Sequence, residues 1–358
     1  MSLRPRVALD ARTLQQEPLG GIGRGLANLI PVLEKDVDLV LLLDRRRSNI
    51  GLDVPRRQIH MPLTAKSVAW LQLAAPNWLR GFSGIFHSPF NGLPYWQPVP
   101  MVVTIHDISF ETHPQWFSAS RLAVFRAQAR HAVRTARRIL TVSEQAREAI
   151  IDFYGADPAS ILVAPNAVDP VFHPTSAEDR AALLRTYGLQ DRPYIVALGG
   201  AERRGAGIAI EAWRRLRQHS LDTDLVIVGA GELPVEPGLH AIGPVGAGDL
   251  GLLFGGALAF CYPTEYESFG LPALEAVASG APVVCARVGA LPEVLGPAPR
   301  WVEERSAEAF ADTLETIISD PDLGAQVRQA GLARAAAAPG WEHAAAVHVE
   351  AYRGAGAG

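Results

Sequence analysis

Two carboxylates eight residues apart, Glu267 and Glu275, bracket the stretch Ser268-Phe269-Gly270-Leu271-Pro272. Carboxylates are strong hydrogen-bond acceptors, so a pair held apart suits a ligand rich in hydroxyl groups. The stretch between them suits the opposite charge. Pro272 fits a first helical position and Gly280 a helix end, which predicts a helix from Pro272 to about Ser279. The backbone of Phe269, Gly270 and Leu271 would then lead into an open helix N-terminus, where unpartnered amides and the positive end of the dipole attract phosphate. Two carboxylates would repel phosphate alone, whereas a sugar joined to phosphate reconciles both halves. A solvated connection with two exposed glutamates would show the same residues.

The elements that must position this loop are readable on either side. Ala257 to Tyr262 is an apolar run that predicts a buried strand, and Pro282-Val-Val-Cys285 begins another. The same alternation of short apolar runs with helical patterns fills the chain, which predicts parallel α/β layers. In the first half the strands are expected at Val7–Asp10, Leu39–Leu43, Ile85–His87, Met101–Ile105, Ile139–Val142 and Ile161–Val163. A second series runs through Tyr194–Leu198, Leu225–Val228, His240–Ile242, Leu258–Tyr262 and Val283–Cys285. The pattern breaks near Pro165 to Pro174. Two Rossmann-like domains with a cleft between them follow, and ligands in such sheets bind beyond the carboxyl ends of the strands.

Composition narrows the function. The chain has 358 residues, room for two domains of ordinary size, and a net charge of -4. Residues 1 to 170 carry 19 Lys+Arg against 14 Asp+Glu, and the remainder 14 against 23. A mildly basic N-terminal half is compatible with an anionic acceptor or a membrane surface but is too weak for nucleic acid. Cys261 and Cys285 both fall in predicted strands, as buried apolar residues of a reducing compartment. The chain shows neither an 18-residue apolar span nor a signal-peptide pattern, so the expected location is the cytoplasm, with peripheral contact at the inner membrane surface. Lys35 and Lys66 are the only lysines. Pyridoxal phosphate chemistry in the C-terminal half is thereby excluded.

Glu267-Ser-Phe-Gly-Leu-Pro-Ala-Leu-Glu275 resembles the E-x7-E signature of the retaining family 4 glycosyltransferases, and the resemblance extends over most of residues 5 to 353. It implies the glycosyltransferase B arrangement: an N-terminal acceptor-side domain over 1–168, a nucleotide-sugar-binding domain over 169–340, and a final helix over 341–353 crossing back to the first domain. The tail 354–358, rich in glycine and alanine, is expected to be disordered. In the family, the first glutamate contacts the donor sugar hydroxyls and the second the nucleotide ribose, while the amides between them hold the diphosphate. Those roles pass to Glu267, to Glu275 and to Ser268 through Leu271. Gly20-Gly21-Ile-Gly-Arg24 is a glycine turn opening a helix and matches the loop that approaches the donor diphosphate and the acceptor. His106 ends a strand; read alone it is a satisfied core histidine, but it matches the histidine near the anomeric centre. Ser143 reads as a helix N-cap, and Asn166 lies in the hinge segment, where it would line the cleft.

One departure stands out. Where the family usually places an arginine and a lysine against the diphosphate, this chain reads Glu202-Arg203-Arg204-Gly205, with Arg204 aligned on the arginine and Gly205 on the lysine. The leaving diphosphate would rest on Arg204, with Arg203 as the alternative, and on helix amides. Gly205→Lys would restore the usual pair if the glycine is not needed at positive φ. Val226 to Gly231 begins like a dinucleotide fingerprint but meets Pro234 at the third glycine position, so a base-binding wall fits better. Asp222-Thr-Asp224 precedes its strand and reads as a polar turn rather than a metal motif, and no His/Cys cluster has metal-ligand spacing. Arg126, Arg130 and Arg134 recur at helical spacing, as a solvated or membrane-adjacent face.

The expectation is a metal-independent, cofactor-free retaining transferase. It would move a sugar from a nucleotide diphosphate sugar, GDP-mannose first because the chain looks closest to bacterial polysaccharide mannosyltransferases, to a glycan or lipid-linked glycan. His106, Glu267 and Arg204 would carry the chemistry. A nucleotide-sugar 2-epimerase and a non-catalytic donor-binding subunit are the alternatives.

Overall fold

The computed structural model describes residues 4–16, 19–44, 57–61, 67–189 and 192–356. The chain divides into two units, Met1–Ala167 with Pro339–Gly358, and Val168–Ala338. Each is built on one parallel sheet whose central strands are buried on both faces, which is why they read as continuous apolar runs rather than alternating ones.

In the first unit the strands are β1 (Arg6–Asp10), β2 (Asp38–Asp44), β3 (Arg57–Met61), β4 (Ile85–Ser88), β5 (Met101–Thr104), β6 (Arg138–Thr141) and β7 (Ile161–Val163), in the order β3-β2-β1-β4-β5-β6-β7. The second unit holds β8 (Tyr194–Leu198), β9 (Asp224–Val228), β10 (Leu239–Ile242), β11 (Ala259–Tyr262), β12 (Val283–Ala286) and β13 (Arg300–Val302), in the order β10-β9-β8-β11-β12-β13. Strand order reverses once in each sheet, between β1 and β4 and between β8 and β11. Loops leaving the two strands of such a pair diverge to opposite sides, opening a crevice at their carboxyl ends.

Two strands were absent from the sequence expectation. Arg57-Gln-Ile-His-Met61 and Arg300-Trp-Val302 are both edge strands, with a neighbour on one side only, so neither needs the apolar run of a central strand. The tail is a second difference. The last helix runs Trp341–Gly356, so residues 354 to 356 are helical; residues 357 and 358 lie outside the described residues. Small residues are what let this end pack. Ala355 is fully buried, a Cβ on Gly354 would stand 2.9 Å from the Arg138 Nε, and Ile85 lies beside Gly356. Residues 354 to 356, expected to be disordered, are a close-packing helical end.

The arginine row is also not a uniformly solvated face. Arg126 donates through Nε to Glu111 at 2.6 Å and Arg130 approaches the same carboxylate at 3.8 Å, with Glu111 itself buried. Arg134 remains exposed. Asp222 and Asp224 both pair with Arg192, and Asp224 also accepts from His240 at 2.9 Å, as a polar turn does. Ser143 caps the helix Glu144–Tyr154 by accepting from the Ala146 amide at 3.1 Å. Cys261 and Cys285 are free and buried, and burial pushes both thiols up.

Candidate active site at the strand-order reversal of the second unit

Three loops meet at the carboxyl ends of β8, β11 and β12. The β8 loop makes a short turn at Glu202–Arg204 and enters the helix Ala206–Gln218 through Gly205. The β11 loop carries Glu267 and enters the helix Leu271–Ala278 through Gly270. Backbone bonds join them: Glu265 N–H donates to the Arg203 carbonyl at 2.7 Å and Ala290, from the β12 loop, to the Glu267 carbonyl at 2.9 Å. Arg305 Nε holds the Pro263 carbonyl at 2.8 Å. Arg204 and Glu267 stand on the two loops that the Glu265–Arg203 bond joins, and both are half-buried.

Glu267 is half-buried and its Oε1 accepts from the Tyr262 hydroxyl. Burial raises the Tyr262 hydroxyl well above the ordinary tyrosine value, and the neighbouring Glu267 charge adds to this, while Arg204 opposes it. Tyr262 is thus a protonated donor at neutral pH, and it fixes one carboxylate oxygen. Tyr262 was missed by the sequence reading; an aromatic residue with a hydroxyl at the last position of a buried strand, five residues before the glutamate, was the available signal. Arg204 is half-buried, donating through Nη1 to the Gly199 carbonyl at 2.9 Å, whereas Arg203 is exposed.

The helix Leu271–Ala278 starts one residue before the expected Pro272 and has Pro272 in its first turn. Gly270 has φ +97, a left-handed conformation that favours glycine, and a side chain there would run into Leu291. Phe269 is buried and Ser268 half-buried, so this entry is locked in place. Glu275 lies one turn in and is only 3% exposed, a carboxylate enclosed by protein rather than presented on an open surface.

Gly205 corrects an expectation. Its φ is +74, and a Cβ at this position would collide with the Pro263 carbonyl oxygen. The site can hold no lysine, because the backbone of the β11 loop occupies the space and the left-handed turn demands glycine. Gly205 is therefore not a vacated cation position but the hinge by which the β8 loop enters its helix, and Arg204 is the cation that precedes that helix. Gly199 is equally confined, its Cβ position lying 2.8 Å from the Ala230 Cα. The Gly229–Gly231 turn thus packs against the start of the β8 loop.

The first unit holds the other predicted residues. Gly20 is the N-cap and Gly21 the first residue of the helix Gly21–Leu33, with open space around the Gly21 Cβ position; Gly23 makes the close contact, at 2.8 Å from the Thr13 carbonyl. His106 follows β5, half-buried, and its Nε2 lies 3.0 Å from the Pro89 carbonyl. A carbonyl only accepts, so Nε2 carries the proton and Nδ1 presents a lone pair. Burial lowers the His106 value, with the Pro89 bond and Asp107 opposing, so the ring is neutral at pH 7. Asn166 borders a small cavity of about 30 Å³ with Gly25, Trp341 and His348. Among the described residues no group of three His, Cys, Asp or Glu side chains could hold a metal ion, and no helix is long and apolar enough to cross a membrane.

Two family models match successive parts of the chain: Glycosyltransferase Family 4 over residues 19–172 and Glycosyl transferases group 1 over residues 180–334. The chain belongs to the family 4 glycosyltransferases. Among relatives of this glycosyltransferase, O-antigen chain mannosyltransferase B of Escherichia coli is 29% identical over 328 residues, covering 87% of this chain and 85% of that protein. A D-inositol 3-phosphate glycosyltransferase of Pseudarthrobacter chlorophenolicus is 29% identical over 298 residues, 78% of this chain and 69% of that one. Of solved structures, Anabaena Alr3699/HepE in complex with UDP and glucose superimposes with a TM-score of 0.74 at 18% identity, covering 97% of this chain and 99% of that chain. WaaG, a glycosyltransferase involved in lipopolysaccharide biosynthesis, superimposes with a TM-score of 0.72 at 16% identity, over 92% and 95%. The fold is that of the glycosyltransferase B enzymes.

Proposed function

We propose that this glycosyltransferase is a retaining, metal-independent enzyme that transfers mannose from GDP-mannose to a hydroxyl of a glycan or lipid-linked glycan. The observation that carries the reading is the Tyr262-held Glu267 beside an open helix entry, with Arg204 on the adjoining loop of the same crevice. Glycosyl transfer builds negative charge on a leaving diphosphate and positive charge at the anomeric carbon. Arg204 and the backbone amides of Phe269 to Leu271 serve the first, and the Glu267 carboxylate, by accepting from sugar hydroxyls, serves the second. His106 supports it as a neutral acceptor at Nδ1. Mannose as the sugar is supported by the similarity to the E. coli O-antigen mannosyltransferase, and a nucleotide diphosphate donor by the likeness to a structure complexed with UDP and glucose.

The non-catalytic alternative rests on the absence of a lysine at Gly205, where the left-handed turn and the Pro263 carbonyl leave room only for glycine; against it stands Arg204, the half-buried cation one residue earlier. The test is incubation of the purified chain with GDP-mannose and with UDP- and ADP-sugars, with and without glycan acceptors, in the presence of EDTA. Transfer from GDP-mannose that survives EDTA, with the α-linkage of the donor kept in the product by NMR, is the expected result. Conversion of the donor without acceptor would point to a 2-epimerase. A strict need for Mn²⁺, or an inverted linkage, would contradict the reading.

A further inference from the structure

We propose that one face of the first unit, built from the 90–96 loop, residues 68–79 and the outer side of the helix Ala119–Thr135, docks on an anionic lipid bilayer. Four large aromatic side chains are exposed among the described residues, and three of them, Phe90, Tyr95 and Trp96, belong to this single loop. Tyr95 is 61% and neighbouring Leu73 60% exposed, and Val124 extends the apolar surface onto the helix.

The loop is held rather than loose. Gln72 accepts from the Tyr95 amide at 2.9 Å and donates to the Leu93 carbonyl at 3.2 Å; His131 Nε2 donates to the Pro94 carbonyl at 3.0 Å and Gln97 to Thr135 Oγ1 at 2.7 Å. The Tyr95 ring packs against His131 with centroids 4.4 Å apart. These bonds fix apolar rings facing outward, where water alone gives no return for ordering them.

Charge selects the occupant. Residues 67 to 143 contain seven arginines and two acidic residues, Asp107 and Glu111. Both carboxylates are engaged: Asp107 accepts from the Ser109 amide at 2.8 Å and from its hydroxyl, and Glu111 is buried beneath Arg126 and the Tyr154 hydroxyl. Arg80 lies over the Trp96 ring at 5.6 Å, and Arg121, Arg130 and Arg134 are exposed on the helix. Tyrosine and tryptophan rings rimmed by arginine match the headgroup region of a membrane, where the rings sit at the interface and the guanidinium groups meet lipid phosphates. A neutral glycan could stack on the rings and accept from the guanidinium groups but would leave their charge unbalanced, which an anionic headgroup does not.

The surface is independent of which donor the enzyme takes, so its test needs no activity. The full chain is sedimented with large vesicles of phosphatidylcholine, alone or mixed with phosphatidylglycerol, at low and high salt. Binding should require phosphatidylglycerol and weaken with salt. Arg121→Gln with Arg134→Gln should lower vesicle affinity about 25-fold, on the order of a factor of five per lost arginine, and separately Tyr95→Ser with Trp96→Ser should lower it at least about tenfold, both with an unchanged unfolding midpoint. If the aromatic pair fails to fold, the arginine pair alone decides. No vesicle binding, equal binding to neutral vesicles, or wild-type binding by folded arginine variants would overturn the proposal. So would capture of a neutral oligosaccharide by the same rings without vesicle binding, which would make the face a glycan platform.

Discussion

The two units share one architecture and use its crevice in opposite ways. At the β8/β11 reversal, main-chain hydrogen bonds join the loops, and the charged side chains of Arg204 and Glu267, each bonded to a neighbour, are only half-buried. Near the β1/β4 reversal, side chains bond to one another. Buried His87 lies 2.8 Å from both the Tyr352 hydroxyl and Thr104 Oγ1, and buried His348 donates to the Ala344 carbonyl at 2.7 Å, so the last helix is tied to β4 and β5. A fully buried polar group bonded inside the protein stabilises a scaffold, whereas a half-buried one at the carboxyl end of a strand is placed to meet substrate. The contrast says where chemistry is expected and where only support is.

The largest effect should come from Arg204. Removing a donor that acts on developing negative charge typically costs about 100- to 1,000-fold in kcat. Arg204→Ala should fall in that range, with a smaller change in donor KM, and exposed Arg203→Ala should be milder; steady-state kinetics of the two variants separates them. Equal effects would break the assignment of the cation to the half-buried arginine. Next comes Glu267→Gln. A lost hydrogen bond to a charged group is worth about 1.5–3 kcal/mol, or roughly 10- to 100-fold in kcat/KM, and Tyr262→Phe should reproduce a part of it by freeing the carboxylate. Wild-type kinetics in both would detach this loop from catalysis.

Gly205→Lys, which the sequence suggested as a gain, should instead be a loss. A non-glycine residue at positive φ costs about 1–3 kcal/mol, and here the Pro263 carbonyl adds a collision. A lower thermal midpoint and lower activity are expected; raised turnover at unchanged midpoint would contradict the geometry.

That reversal shows where sequence reading ends. The central strands were legible because burial on both faces leaves an apolar run, and the helix at Pro272 because proline and glycine mark its ends. The edge strands Arg57–Met61 and Arg300–Val302 were not, since an edge needs no such run. Glu267 and Glu275 were legible as a spaced pair, yet nothing in their spacing says that one is half-open and the other 3% exposed. Backbone dihedrals are equally invisible, which is how Gly205 came to read as a missing lysine. Tyr262 needed a neighbour in space, not in sequence.

The smallest effect belongs to the supporting histidines. Burial lowers His348 to about 4 and His87 well below its ordinary value. A histidine kept neutral by folding is protonated more readily in the unfolded chain, so the unfolded state binds more protons between pH 4 and about 6.5. Stability should therefore be complete above about pH 6.5 and decline as pH falls toward 4. Denaturant unfolding across that range measures the slope, and His348→Gln should flatten it without moving donor affinity at pH 7.5. A slope unchanged in the variant would mean that other groups govern the acid response.

Hydrogen–deuterium exchange with saturating GDP or UDP tests the central claim most directly, because it locates nucleotide binding without requiring an acceptor. Slower exchange should concentrate in two stretches of the second unit, residues 204–208 and 268–274, and should be lost in Arg204→Ala. Measurable nucleotide binding with protection confined to other parts of the chain would contradict the placement of the donor diphosphate at the β8/β11 reversal.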